Sequence, residues 1–290
     1  MKMQRQRYRF TSACLLVLLA ILVTLSACDP LSWLQDPPDP PTPLPVQPTP
    51  VHQPYRVIDI WLATTQTYPR TEFSLAKQKI AQSIDDAVQV NSDGMQVTIG
   101  LLGGNSFANA PVMTITIPKI DADPAEPALK PTPTEQYDPF ANKDAGDTVA
   151  EQNGKATDQY QQDLRRHHAY LDQVRKQVRV QTDQLRSLNP PVMPTEDIWS
   201  AVGRSAKRFQ GVQATKQLIL ATDFEAVTYA QFVPDIYLPA VAVSVIFYYN
   251  ADQQRYEQNM ALWKNSFINS GASSANFYDD VQSQGLSLFS

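Results

Sequence analysis

Cysteine is nearly absent. The 290 residues hold two, Cys14 and Cys28, which excludes a disulfide-stapled fold and any Cys/His zinc spacing. Histidine is scarce as well, with His52, His167 and His168 only. His167 and His168 are neighbours, so on a helix they point about 100° apart and do not readily chelate one ion together. His167 falls on an apolar stripe and reads as a packing residue; His168, beside Arg165 and Arg166, reads as solvated. There is no Gly-x-Ser-x-Gly elbow, no phosphate loop and no Gly-x-Gly-x-x-Gly frame, and Leu102-Gly103-Gly104-Asn105 reads as a turn. The paired acids Asp85-Asp86 and Asp279-Asp280 read as solvated faces or helix ends. With no nucleophile set beside a base, the chain is not expected to be an enzyme. No apolar run reaches the roughly 20 residues that a membrane-crossing helix takes.

Positive charge is short too. There are 24 Lys+Arg against 29 Asp+Glu, a net charge of −5. Four of the basic residues, Lys2, Arg5, Arg7 and Arg9, precede any acid, and without them the net charge is −9. That balance argues against nucleic acid as a partner.

What is present begins with those basic residues. An apolar run, Cys14–Val23, follows, and Leu25-Ser26-Ala27-Cys28 closes it. A basic stretch, a short apolar core and small residues at the end make a secretory signal over 1–27. The Leu-Ser-Ala-Cys ending resembles the lipobox of bacterial lipoproteins. The resemblance implies cleavage before Cys28, acylation of its thiol, and attachment to the outer face of a cell membrane. Cys28 would then be the only cysteine of the mature chain. Residues 28–54 carry the lipidated cysteine and a linker with 10 of the 23 prolines, a density that gives a semi-rigid polyproline spacer.

From residue 55 to 290 the pattern alternates. Tyr55–Ala63, Met95–Leu102, Lys216–Thr222 and Pro239–Tyr249 read as buried strands, Val112–Ile117 as a proline-bounded edge strand, and Ala275–Tyr278 as a last short one. Helices are predicted over Thr71–Val90, Thr157–Leu188, Ile198–Phe209 and Ala251–Ser270. Leu164, Leu171, Val178 and Leu185 recur every seven residues, which fits packing within the chain or a coiled coil with another chain. Lys119–Gly154 lacks periodicity and reads as a mobile surface stretch, part of an insertion over about 119–190. Strands alternating with helices predict an α/β fold with a doubly wound, mostly parallel, Rossmann-like sheet.

The order and spacing resemble a von Willebrand factor A domain. The first strand ends in Ala63-Thr64-Thr65-Gln66-Thr67, where that family has Asp-x-Ser-x-Ser. The later strand ends in Leu218-Ile219-Leu220-Ala221-Thr222-Asp223, close to the family's second signature. The resemblance implies a divalent-cation adhesion site at Thr65, Thr67 and Asp223, weakened because Ala63 replaces the leading aspartate. Mg²⁺ takes oxygen ligands in near-octahedral geometry. The family's middle-loop threonine is not placed: Thr157 and Thr195 are equal choices. Asp59, four residues before Ala63, lies too far down the strand to substitute. The expected function is that of a membrane-anchored module binding an unknown protein partner with Thr64, Thr65, Gln66, Thr67, Asn105 and Asp223. The alternative is a small-ligand-binding or transporter-accessory lipoprotein. Oligomeric state is not readable from these residues.

Overall fold

Runs rich in valine, isoleucine and leucine form the centre of a single six-stranded sheet. In the computed structural model these are β1 (Arg56–Ala63), β2 (Met95–Leu102), β3 (Met113–Ile117), β4 (Thr215–Ala221), β5 (Val241–Val245) and β6 (Ser274–Phe277). The structure describes residues 56–90, 92–104, 106, 110–131, 143–225, 236–249 and 252–289. The expected signal, Cys28, the linker, His52 and Asn105 lie outside them. Val51–Ser290 forms one unit.

The strand order is β3-β2-β1-β4-β5-β6, all parallel except β3, which pairs antiparallel with β2. The chain reverses direction across the sheet between β1 and β4. That reversal is the switch point of a doubly wound sheet, where loops at the carboxyl ends of two adjacent strands diverge and leave a crevice. The coarse expectation of a mixed α/β fold with a mostly parallel sheet therefore holds, as does the edge position of β3.

Five helices accompany the described strands: α1 (Arg70–Asp86), α2 (Lys143–Ser187), α3 (Ile198–Phe209), α4 (Gln253–Asn269) and α5 (Asp280–Gly285). Right-handed crossovers put α3 and α4 on one face and α1 on the other. Trp199 of α3 stacks on Trp263 of α4 with centroids 4.9 Å apart. Beneath α3, Trp61 donates to Ser205 Oγ at 2.9 Å, and the fully buried Asp59 pairs with Arg208. Burial raises the Asp59 carboxyl and the Arg208 guanidinium opposes that rise. Asp59 is thus committed in mid-strand, as its position implied. Trp61 also explains Gly100, its partner across β1 and β2. A Cβ at Gly100 would stand 2.4 Å from the Trp61 ring.

Two expectations for the insertion are corrected. The long helix begins at Lys143 rather than 157, and residues 119–131 are not a structureless surface stretch. Lys130 N donates to Asn153 Oδ1 at 3.0 Å and Asn153 Nδ2 donates back to Lys130 O at 2.9 Å. At the other end, His168 Nε2 meets Asp123 Oδ1 at 3.2 Å. Seven residue steps of this strap (123 to 130) thus run beside fifteen steps of the helix (168 to 153). At about 3.1 Å per polyproline residue and 1.5 Å per helical residue, both distances are about 22 Å. The strap is therefore extended. Pro124 and Pro127 are half-buried, while their neighbours are exposed.

The second half of α2 packs within the chain, burying Leu171, Val174, Val178 and Leu185 against α1 and β3. Asp85 and Asp86 stand at the end of α1, one of the two places their pairing suggested. Asp85 also accepts from Thr182 Oγ1 at 2.7 Å and pairs with Arg186. Lys77 closes the end of α2, donating to the carbonyls of Arg186 (2.9 Å) and Leu188 (2.7 Å). A cation belongs there, because those carbonyls carry the negative end of the helix dipole. His167 is largely buried as expected, with Nε2 3.6 Å from Asp123. Helix ends elsewhere shift by a few residues, and α5, too short for a periodicity signal, was not anticipated. Asp279 is its N-cap, accepting from Gln282 N at 2.8 Å. Among the described residues no helix is long and apolar enough to cross a membrane.

Candidate functional site

The loops leaving β1 and β4 meet at the switch point. After Ala63 the chain turns through Thr64 and Thr65, both buried, and the exposed Gln66 and Thr67. Thr65 Oγ1 lies 3.3 Å from Thr67 Oγ1, and the Thr67 hydroxyl is hydrogen-bonded to the Asp223 carboxylate. The three residues singled out from the sequence are therefore brought together. Thr64 belongs to the scaffold: its hydroxyl donates to Leu102 O at 3.3 Å and ties the top of β1 to β2.

Asp223 is held by its own turn. Its Oδ1 accepts from Glu225 N at 3.1 Å, and Thr222 Oγ1 accepts from Phe224 N at 3.1 Å. Burial raises the Asp223 carboxyl, while the Glu225 backbone N–H and the Thr67 hydroxyl hold it down. Phe224 has φ 56°, the left-handed region that favours glycine. Its ring explains why phenylalanine is there. It stacks on Trp263 at 4.6 Å and meets Tyr248 edge-on at 5.9 Å.

A third segment closes the site. Pro190, Pro191 and Pro194 keep the chain extended after α2, and Met193 N donates to Thr64 O at 2.9 Å in a parallel bridge opposite Thr65. Asp197 N donates to Gly103 O at 2.8 Å. Thr195 is therefore carried across the carboxyl ends of β1 and β2, with its Oγ1 3.5 Å from where a Cβ would stand at Gly104. Thr157 is remote. It lies on the exposed half of α2, with its hydroxyl donating to Asn153 O at 2.9 Å. Of the two threonines left open, Thr195 is the one that lies near the loops leaving β1 and β2.

Glu196, which the sequence does not single out, is a buried member of the site. It is fully buried and accepts from Thr222 Oγ1 at 2.7 Å. Burial pushes its carboxyl up to about 8, the Thr222 hydrogen bond opposes this, and the Asp223 charge adds to it. Asp197 is the actual cap of α3, accepting from Ser200 N at 3.0 Å. Tyr68, also missed, is buried and donates to Phe247 O at 3.2 Å. Its phenol is raised first by burial and then by Glu72, Asp223, Glu196 and Asp280. Neither residue carries a sequence motif. Their roles come from strands that are distant along the chain.

Chemically, the site combines the exposed Thr67 hydroxyl with the buried Thr65 hydroxyl and Asp223 carboxyl, beside the buried Glu196, whose carboxyl burial pushes up to about 8. Ala63, fully buried, contributes no oxygen. Among the described residues no group of three or more His, Cys, Asp or Glu side chains is arranged to hold a metal ion. Thr65, Thr67 and Asp223 supply two neutral oxygens and one charged one, a poor fit to a strong Mg²⁺ site.

Neither a protein-family model nor a curated protein matches the chain. Among solved structures it is similar to proximal thread matrix protein 1 from the mussel byssus, at 11% identity and a TM-score of 0.32, covering 78% of this chain and 42% of that one. A second crystal form of the same protein gives 10% identity and a TM-score of 0.31, covering 78% and 41%. The chain spans less than half the length of that protein.

Proposed function

We propose that this chain is a lipid-tethered, extracytoplasmic binding module of the von Willebrand A type. It docks a protein partner through the loops at the carboxyl edge of its sheet, with a cation site that is weakened or lost. The observation that supports this reading is the meeting of Thr65, Thr67 and Asp223 at the switch point between β1 and β4, the position where open α/β sheets bind ligands. The polar, partly exposed character of that edge suits docking better than turnover. Acylated Cys28 and the proline-rich linker would hold the module away from the membrane.

Three measurements test it. A photo-crosslinking residue replacing Gln66 should capture one protein species in cells, and the same residue at the exposed Val180 of α2 should not. Equal yields at both positions would sink the docking reading. Calorimetry with Mg²⁺ and Mn²⁺ should give millimolar or weaker binding that disappears in Asp223→Ala; tight binding would restore a full adhesion site. Cys28→Ser should move the chain out of the membrane fraction. A small molecule retained through purification and released by Asp223→Ala would favour the ligand-binding alternative.

A further inference from the structure

The carboxyl edge is acidic. In a parallel sheet the segment after each strand lies on that edge. This gathers Glu72 after β1, Asp223 and Glu225 after β4, Asp252 after β5, and Asp279 and Asp280 after β6. Among the described residues of those loops and first helical turns, the cations are Arg70 and Arg255.

Most of these acids have a structural task. Asp252 and Asp279 cap α4 and α5, accepting from Gln254 N, Arg255 N and Gln282 N. Glu225 accepts from Arg255 and Asn259. Asp223 is held by Thr67 and the Glu225 N–H. Glu72 and Asp280 have no such task. Glu72 lies in the first turn of α1 but caps nothing, since the cap is Pro69 with no side-chain bond. Its Oε1 meets Thr71 Oγ1 at 3.4 Å. Its Oε2 is buried with no hydrogen-bond partner among the described residues, on a side chain 7% exposed. Asp280 opens α5, is half-buried, and its carboxylate has no printed partner of its own among the described residues.

The two acids are brought together through α5. Tyr68 donates to Phe247 O at 3.2 Å, and Phe247 N donates to Ser283 Oγ of α5 at 2.8 Å. Burial raises the Glu72 carboxyl, and the neighbouring Asp280 charge raises it further. The nearby cations are turned elsewhere. Arg70 donates to Pro190 O at 3.3 Å and Lys79 to Gln284 O at 2.9 Å. Lys264 lines the outer groove beside Tyr278 and Gln282. Two adjacent carboxylates, one of them buried, are costly without a positive charge beside them.

We infer that Glu72 and Asp280 form an anionic subsite of the docking edge that takes a lysine or arginine side chain of the protein partner. The inference rests on the carboxyl-edge reading above and names the chemistry of its partner. The cation touches the half-buried Asp280, and Glu72 behind it supplies a second negative charge. Val281, next along α5 and 81% exposed, offers apolar contact to the stem of that side chain. Complementary charge of this kind also steers encounter and selects among partners. Among the described residues no third metal-ligating side chain joins the pair.

The test uses the full-length chain in detergent and labelled ten-residue peptides of valine, glycine and serine that carry either two arginines or two citrullines, which keep the shape without the charge. At low ionic strength, fluorescence anisotropy should show the arginine peptide binding about tenfold tighter, a preference that shrinks in high salt. Asp280→Asn and Glu72→Gln should each reduce it to less than about threefold, the level of ordinary surface attraction. The urea midpoint of Glu72→Gln should not fall, which keeps a loss of binding from being a loss of fold. Glu126→Gln, an exposed acid of the strap, should leave the preference unchanged. The inference is overturned if the two peptides bind alike, or if Glu126→Gln acts as strongly as Asp280→Asn, since the attraction would then be to net charge. Binding of Mg²⁺ or Ca²⁺ that is lost in Asp280→Asn would assign the pair to a metal and also overturn it. Capture of a partner from Gln66 without an arginine preference would refute this inference alone. An arginine preference without capture would refute the docking reading and leave the pair as a cation subsite.

Discussion

Glu196→Gln is the sharpest probe of the buried site. The wild-type carboxyl is fully buried under the hydroxyl of Thr222, and burial with the Asp223 charge raises it from 4.5 to about 8. A group raised in the folded state holds an extra proton between its unfolded and folded values. Its contribution to stability is complete below about 4.5 and is lost as pH rises to about 8. At about 1.4 kcal/mol per pH unit, the loss across that window is roughly 5 kcal/mol. Glutamine keeps the shape and an oxygen for Thr222 to donate to, but it never ionises. Urea unfolding of parent and variant from pH 5 to 9 should therefore give crossing curves. The two are matched, or the parent slightly ahead, at pH 5, and the variant is ahead by several kcal/mol at pH 9. Asp59 and Glu72 are also raised by burial, but they are present in both proteins and cancel in the difference; Asp223 interacts with the Glu196 charge, so its coupling is part of the difference read. Parallel curves would mean that Glu196 is ionised at neutral pH, and the neutral-acid description of the site would fail.

Three further substitutions test the packing that positions the site. Lys77→Met removes the cation that closes α2 and strands two carbonyls, and should cost about 2–3 kcal/mol in urea unfolding; a change within about 0.5 kcal/mol would show that Lys77 does not hold that helix end. Gly100→Ala pushes a methyl group into Trp61, which Ser205 keeps from turning, and should cost about 1–3 kcal/mol with a shift in tryptophan emission; an unchanged midpoint and emission would mean that the ring yields freely. Phe224→Gly relieves a left-handed backbone worth roughly 1 kcal/mol but removes a ring stacked on Trp263, for a net loss of about 2–4 kcal/mol by thermal or urea unfolding; a gain in stability would place the strain above the stacking.

Much of the fold was legible because its signals are local. Val57–Ala63, Met95–Leu102 and Leu218–Ala221 are mostly apolar, and strands buried on both faces combine that composition with such short length. Pro111 and Pro118 bracket β3 and restrict it to an edge. Thr65, Thr67 and Asp223 were singled out by the resemblance of the segments after two strands to the signatures of a von Willebrand factor A domain. The strap was misread because it is held by contacts with the distant helix α2 and not by a local pattern, so the absence of helix or strand periodicity looked like the absence of structure.

By itself, then, the sequence determined the alternation of strands and helices, the edge position of β3, and the positions where hydroxyls and a carboxylate sit at strand ends. Those follow from side-chain periodicity and proline chemistry within a few residues. Only the tertiary structure decided that Thr195 and not Thr157 crosses the site. It alone placed Glu196 under Thr222 and set Asp85 against α2. Each of these depends on which distant segments burial brings together, and the desolvation that makes Glu196 a neutral acid exists only once the core has closed over it.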